Sequence, residues 1–359
     1  DFFESAGIPG FSLRSYPGSL NLMEGDTIRF FGFGSPLLLP EGQSVQEFVE
    51  DEFTFTNDEW FLLQEDPDDG ADATKFNTLF FGGTCGDSLA NACEWGADSE
   101  PVLPISNENG ETWVTMTADA GSVLFGAVGP SSAIRVGVVS NPADASTAAE
   151  LAGRAAALKA QDFNTAAGLH NKYRDRQTSH RDDQGRRVWD AWAGLSRGPV
   201  ELIAMYPQKL NIKEGQRVQW HFDLENEVHN ANFSFQQARD IFNNTFIPWC
   251  DPDGDANPGP DTEPDFTNPD DPTTWCADIS QLEFDLDPRE AFGGGNGTFN
   301  GNDSDFEGSG LRSRASLQDG FFSEEQWTVR FTKSSNRKGY RYFCTVHGTF
   351  MDGRVRVRG

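Results

Sequence analysis

Two stretches far apart in this chain of 359 residues read alike, and that repetition limits the fold more than any other feature. The first is Ser19-Leu20-Asn21-Leu22-Met23-Glu24-Gly25-Asp26-Thr27-Ile28-Arg29-Phe30. The second is Lys209-Leu210-Asn211-Ile212-Lys213-Glu214-Gly215-Gln216-Arg217-Val218-Gln219-Trp220. Each reads as strand, Glu-Gly turn, strand, with apolar residues alternating after the turn. The halves also end alike. Thr112-Trp113-Val114-Thr115-Met116 parallels Gln326-Trp327-Thr328-Val329-Arg330-Phe331, and Gly121-Ser122-Val123-Leu124-Phe125 parallels Gly339-Tyr340-Arg341-Tyr342-Phe343. The repeat implies two copies of one β-domain, at residues 1–140 and 196–359.

Residues 141–195 form a connector of different character. The stretch 144–173 is Ala-rich and lacks Pro, with Leu151, Ala155 and Leu158, then Phe163, Ala166, Leu169 and Tyr173. Those spacings predict helix, as two short segments broken near Asp162, which serves as an N-cap. Residues 174–187 are highly charged and hold the turn signal Asp183-Gln184-Gly185. The aromatic stretch Val188-Trp189-Asp190-Ala191-Trp192 is expected to cover a sheet edge or the domain seam. A packed linker is expected rather than a partner-binding helix. The acidic, Pro- and Gly-rich run 251–272 and the Gly/Asn-rich run 293–310 read as loops, and loops of that length are functional or loosely ordered.

Acidic residues number 56 against 28 basic, a formal charge of −28. That balance argues against nucleic acid, whose phosphates would be repelled, and points to a surface adapted to salt, as in a halophilic habitat. No apolar run approaches the ~18 residues of a membrane span. The chain starts at Asp1 without an initiator Met, which is consistent with removal of an export signal.

The closing residues carry the chemistry. Phe343-Cys344-Thr345-Val346-His347-Gly348-Thr349-Phe350-Met351 places a thiol, an imidazole and a thioether on one tight loop between two strands. These are three of the four donors of a blue-copper site, which needs a second histidine. The chain has five histidines. His221 faces away from Val218, Trp220 and Phe222 on its strand. His229 follows a polar turn and opens the next alternating run, where a second strand can meet the Cys344 loop. Zinc accepts similar donors, but one Cys with two His and a Met suits copper better. A buried Cys with satisfied core histidines is the bland alternative.

A His-Asn pair, then a distant Phe-Cys-x-x-His-x-x-x-Met loop ending in a strand, resembles the cupredoxin family, in particular its plastocyanin-like branch. The resemblance covers residues 200–359, with the loop insertions unmatched. It implies an all-β chain of two Greek-key cupredoxin β-sandwiches joined by a short helical connector. It implies a type 1 copper held by His229, Cys344, His347 and Met351, with Asn230 holding the Cys loop by hydrogen bonds. Three residues separate His347 from Met351, between the two of amicyanins and the four of plastocyanins, which bears on the axial bond. The first copy lacks these donors. Counted from the Glu-Gly turn, His229 corresponds to Leu39. Counted from the glycine before the last strands, Cys344, His347 and Met351 correspond to Gly126, Gly129 and Ala133. The copy at 1–140 is thus expected to be copper-less.

Counting histidines argues against a multicopper oxidase or a nitrite reductase. A trinuclear cluster needs eight more histidines, whereas His170, His180 and His221 remain, and the neighbours of Cys344 are Phe343 and Thr345. The expected function is one-electron transfer with an unknown redox partner protein, not enzyme catalysis. The alternatives are a structural or adhesive surface protein, self-associating at the cell surface, and copper capture or delivery. With Cys344 as a ligand, the remaining cysteines pair locally, Cys85 with Cys93 and Cys250 with Cys276. Disulfides imply an extracytoplasmic location, secreted or at the cell surface. Sequons at Asn232, Asn243, Asn296 and Asn302 permit glycosylation there. Finally, Asp251, Asp253 and Asp255 alternate like calcium ligands but lack the spacing of an EF-hand; a solvated acidic loop is the competing reading.

Overall fold

The computed structural model describes the chain apart from residues 1–2, 13, 15, 32–36, 40–83, 97–103, 108, 128–132, 225–227, 235, 240–246, 251–281, 286–288, 290–292, 303–305 and 314–325. Along the chain the strands begin with β1 (Phe11–Ser12), β2 (Ser19–Leu22), β3 (Thr27–Phe31), β4 (Leu37–Leu38), β5 (Cys93–Trp95), β6 (Glu111–Met116), β7 (Val123–Ala127) and β8 (Ala133–Val138). After the helix α1 (Ala148–Tyr173) come β9 (Ser179–Arg181), β10 (Arg187–Arg197), β11 (Val200–Tyr206), β12 (Lys209–Lys213), β13 (Arg217–His221) and β14 (Asn232–Phe233). The last are β15 (Ile247–Cys250), β16 (Leu282–Asp285), β17 (Thr298–Phe299), β18 (Glu307–Gly308), β19 (Trp327–Phe331), β20 (Tyr340–Cys344) and β21 (Gly348–Arg358). Among the described residues strands dominate, with α1 the one long helix and a helical turn at 236–239, in keeping with the expected all-β chain and helical connector.

It divides into two compact units, one of residues 1–12, 162–247 and 285–359, the other of 13–161 and 248–284. Each is a sandwich of two sheets. In the second-named unit the sheets run β2-β8-β7-β4 and β3-β6-β5. In the other they run β12-β21-β20-β14-β18 and β1-β11-β10-β13-β19-β17, with β9 paired to β10.

The repeat is visible bond by bond. β2 pairs in parallel with β8, and β12 pairs in parallel with β21. β3 pairs antiparallel with β6, and β13 with β19. At the Glu-Gly turns, Gly25 N–H donates to Met116 O and Gly215 N–H to Phe331 O. The returning bonds, Met116 N–H to Asp26 O and Phe331 N–H to Gln216 O, match too. Both turn glycines have positive φ, 85° at Gly25 and 84° at Gly215, which a side chain would disfavour. Tyr16-Pro17 and Tyr206-Pro207, both cis, precede the equivalent strands β2 and β12.

Alternation delivers the cores. Leu20, Leu38, Leu124, Ile134 and Val136 from one sheet meet Trp95, Val114 and Met116 from the other. In the second copy Leu210, Ile212, Phe233, Tyr342, Val355 and Val357 meet Val218, Trp220, Val329 and Phe331. Full burial of a large apolar side chain contributes ~1.5–3 kcal/mol. Trp220 sits centrally, with ring centroids 5.3 Å from Tyr342, 5.5 Å from Phe233 and 5.1 Å from Trp327.

Three expectations about local structure change. The connector helix is one continuous element of 26 residues, not two. Thr147 starts it in a capping box, its N–H donating to Glu150 Oε2 at 2.9 Å while Glu150 N–H donates to Thr147 Oγ1 at 3.3 Å. Asp162 lies inside the helix, buried, and its carboxylate accepts from Ser12 Oγ at 2.9 Å. A tertiary partner satisfies it, so it does not cap. Residues 188–192 are no cover for an edge: β10 lies between β11 and β13, with Ala191 and Ala193 in the core. The run 293–310 is organised around Glu307, buried, whose carboxylate accepts from Asn296 N–H at 3.0 Å and Gly297 N–H at 2.9 Å.

Cys85 and Cys93 form a disulfide, with Cys93 buried. Cys276 lies outside the described residues, as does the side chain of Cys250, so the pairing of Cys250 with Cys276 is not described; the same holds for Asp251, Asp253, Asp255 and Asn243. Asn232 is buried, and its Nδ2 donates to Thr345 Oγ1 at 3.2 Å. That sequon is therefore closed to a glycan in the folded chain, while Asn296 and Asn302 are exposed. No helix among the described residues is long and apolar enough to cross a membrane.

Candidate metal centre

Four side chains meet at one end of the β20–β21 pair. β20 ends on Cys344, the turn 345–347 carries His347, and β21 begins with Gly348 and bears Met351. The β20–β21 register slips between Phe343 and Cys344, so the loop leaves the ladder where the thiol emerges. His229 arrives from the segment before β14. Its N–H donates to Arg312 O at 3.0 Å and its carbonyl accepts from Arg312 N–H at 2.9 Å, which fixes that backbone.

The donor atoms converge. His229, Cys344 and His347 each place a ligand atom within 4.8 Å of the others. Cys344 Sγ lies 3.8 Å from His347 Nδ1. His229 Nδ1 lies 2.9 Å from Met351 Sδ. The two imidazoles stack at 4.7 Å between centroids with 26° between planes. His229, Cys344 and Met351 are fully buried, while His347 is half-buried.

Asn230 ties the two sides together. Its Oδ1 accepts from Thr345 N–H at 2.8 Å and its Nδ2 donates to Thr345 Oγ1 at 2.6 Å. Its backbone N–H points at Cys344 Sγ at 3.5 Å. Burial alone would raise the Cys344 thiol. The hydrogen bonds and charge of His229 and His347 outweigh it and bring the group down to about 5. A thiolate at neutral pH is the state that binds a soft metal. The donor set thus fits a type 1 copper, with two imidazoles, a thiolate and a thioether.

The spacing of residues did not reveal everything. Gly194, at φ +78°, lies beneath His229: a Cβ there would stand 3.2 Å from His229 Nε2 and 2.7 Å from Leu224 Cδ2. Ser309, whose Oγ accepts from Ala231 N–H at 3.0 Å, holds the next residue but one after His229. A glycine inside a strand run is a sign of a bulge or a close approach, and the β10–β11 register does slip between Ala193 and Leu195.

The first copy has the strands without the donors. Residues 32–36 separate β3 from β4, whereas the longer stretch 222–231 separates β13 from β14. Counting from the turn therefore misplaces His229 against Leu39, which follows β4 while His229 precedes β14. Similarly, Leu20 pairs with Val136 and Leu210 with Val355. Two residues back, Gly126 faces Ile134 and Tyr342 faces Gly353. Gly126 thus stands level with Tyr342, and the counterpart of Cys344 falls at position 128, outside the described residues. None of the five histidines lies in 1–140.

No protein-family model matches the chain, and no curated protein matches it. Among solved structures the chain is similar to auracyanin A, a "blue" copper protein from the green thermophilic photosynthetic bacterium Chloroflexus aurantiacus. The identity is 15% and the TM-score 0.23, over 48% of this chain and 98% of that one.

Proposed function

We propose that this chain is an extracytoplasmic type 1 copper protein that carries single electrons. The observation that carries this reading is the convergence of the side chains of His229, Cys344, His347 and Met351, the first, second and fourth buried and His347 half-buried. Copper bound there supplies a one-electron couple. The residues do the rest. Cys344 offers a thiolate without first losing a proton at neutral pH. His229 and Met351, buried and anchored, keep water away. Asn230 clamps the 345–347 turn to the His229 segment, so the donors change position little between oxidation states. His347, half-exposed beside the exposed Phe350, is the exit for the electron.

In this reading the unit of 13–161 and 248–284 is a copper-less domain and the unit of 1–12, 162–247 and 285–359 the copper domain, in place of a division at 1–140 and 196–359. The Cys85–Cys93 disulfide supports an oxidising, extracytoplasmic location. Electron carriage is favoured over enzyme catalysis because the histidine count leaves no second copper for the electron to reach. A structural or adhesive role, and copper capture or delivery, are the competing functions. The visible spectrum of the Cu(II)-loaded chain tests the proposal. Intense thiolate-to-copper charge transfer that disappears in Cys344→Ser is expected; a colourless copper-loaded protein would overturn it.

A further inference from the structure

The outer face of the β12–β21–β20 sheet is basic in a strongly acidic chain. The parallel register sets Lys209 beside Arg354 and Lys213 beside Arg358, with Arg356 between. Across the other ladder Arg354 faces Arg341. All point away from the core, since Leu210, Ile212, Val355 and Val357 fill the alternate, buried positions. Of seven charged residues on these strands six are basic, whereas the whole chain has 28 basic against 56 acidic. Arg341 pairs with Asp352 at 2.6 Å. Among the described residues none of the other five makes an ion pair.

Like charges directly across a ladder cost stability. Lysines on an edge strand guard against sheet-to-sheet pairing, and β12 is an edge. That does not account for Arg354, Arg356 and Arg358, since β21 lies inside the sheet, between β12 and β20.

The first copy shows what this face can do. There the equivalent positions are Ser19, Asn21 and Arg135, and the chain itself lies on them. Asn21 N–H donates to Ser146 Oγ at 2.9 Å, Asn21 Nδ2 to Asp144 O at 3.2 Å, and Arg154 reaches Ser19 Oγ at 3.3 Å. A cleft lined by Ser19, Asn21, Arg135, Asp144, Ser146 and Arg154 marks the seat. In the second copy Asn211 N–H, like Asn21 N–H, is taken by the chain itself, at Gln177 Oε1 3.2 Å away, but the face is solvent-exposed at Lys209, Lys213 and Arg358 and carries six cations, Arg341 among them, where the first carries Arg135 alone.

We propose that the outer face of β12–β21–β20 docks a carboxylate-rich segment of a protein partner. Extended acidic chain suits it, since same-face positions recur every ~6.6–6.8 Å along a strand, matching Arg354, Arg356 and Arg358. The chain's net negative charge repels an acidic protein overall, so this basic face also biases how the partner lands. That this partner is the redox protein rests on the electron-transfer reading, because β20 and β21 also carry Cys344 and Met351; the docking itself does not.

The test uses the full metal-free chain, so that it stands apart from copper. The probe is a hexaglutamate peptide at low ionic strength, followed by amide NMR shifts. Shifts confined to β12, β20 and β21 are expected, with binding about tenfold weaker in Arg354→Glu/Arg356→Glu and lost in ~1 M salt, where the Debye length is ~3 Å. Lys209→Glu/Lys213→Glu, on the edge strand, gives a smaller loss and guards against misfolding of the arginine variant. Shifts centred elsewhere, or equal affinity in the arginine variant, would overturn the proposal. So would tighter binding of a short DNA duplex than of the peptide, or sedimentation showing that the face instead seats a second copy.

Discussion

The two copies share a set of ladders, and the second adds β1, β9, β10, β11 and β18, which have no counterpart among the described strands of the first. In both, a Glu-Gly turn feeds a strand that pairs with the same partner, and matching backbone bonds close the turn. In both, Trp or Leu side chains from facing sheets fill the core. Only the second copy brings an imidazole-bearing segment against the loop between its last two strands. The difference teaches that the sandwich can close without the donors: the first copy's core does so, whereas in the second Cys344 and Met351 also pack into the core. The longer stretch 222–231 is what lets His229 reach the Cys344 loop, anchored on Arg312 and Asn230.

The largest expected effect tests whether the copies differ in kind. Metal analysis of the copper-loaded chain should give one copper per chain, and Cys344→Ser should remove it together with the visible colour. Two coppers per chain, or retention of tightly bound copper in the variant, would break the comparison. Next in size is Gly194→Ala. It forces a side chain into φ +78° and against Leu224 and His229, costing about 2–5 kcal/mol. The denaturant midpoint should fall, and the charge-transfer band should shift because His229 is displaced. Gly137 is a fair contrast in the first copy, since its Cβ would meet Asn21 Oδ1 at 2.8 Å. Since that oxygen is the tip of a side chain that can turn aside, Gly137→Ala should cost little stability and leave the spectrum unchanged.

A smaller loss is expected from Asn230→Ala. It strands Thr345 N–H in the interior and frees the 345–347 turn. Leaving a buried donor unsatisfied costs about 1–3 kcal/mol, and loss of a group that orients ligands weakens metal binding roughly 10–100-fold. Copper competition titrations against a chelator would measure it. Unchanged copper affinity would mean that the loop is held without Asn230.

Much of this was legible in the residues. The repeat was legible, and its ladders match, because alternation and the Glu-Gly turn are local signals that tertiary packing does not override. The site was legible because its donors are rare residue types: one lone Cys beside a His and a Met leaves few arrangements. What could not be read depends on long-range partners. Asp162 looks like a helix start by sequence, but Ser12, far along the chain, satisfies it and the helix runs on. Val188–Trp192 looks like a cover, yet its neighbours β11 and β13 make it a central strand. The match of His229 to Leu39 failed because counting from a turn assumes equal loop lengths, and 32–36 is shorter than 222–231. Gly194 left only a weak mark, a glycine within an apolar strand.

The smallest effect concerns Glu307, in the loop 293–310 of the second copy. Burial pushes its carboxyl up, and the N–H groups of Asn296, Gly297 and Thr298 pull it partly back. The folded value is therefore above the unfolded one. For an acid shifted this way, the stability contribution is fully present below the ordinary carboxylate range and is lost as pH rises through the raised folded value. The second copy should thus lose stability on going from acid toward neutral pH, by at most ~1.4 kcal/mol for each unit between the two values. Glu307→Gln should flatten that part of the pH profile while keeping one acceptor for the 296–298 turn. A profile that stays equally steep in the variant would show that the slope belongs to other groups, and that the 293–310 loop holds its shape without help from a protonated Glu307.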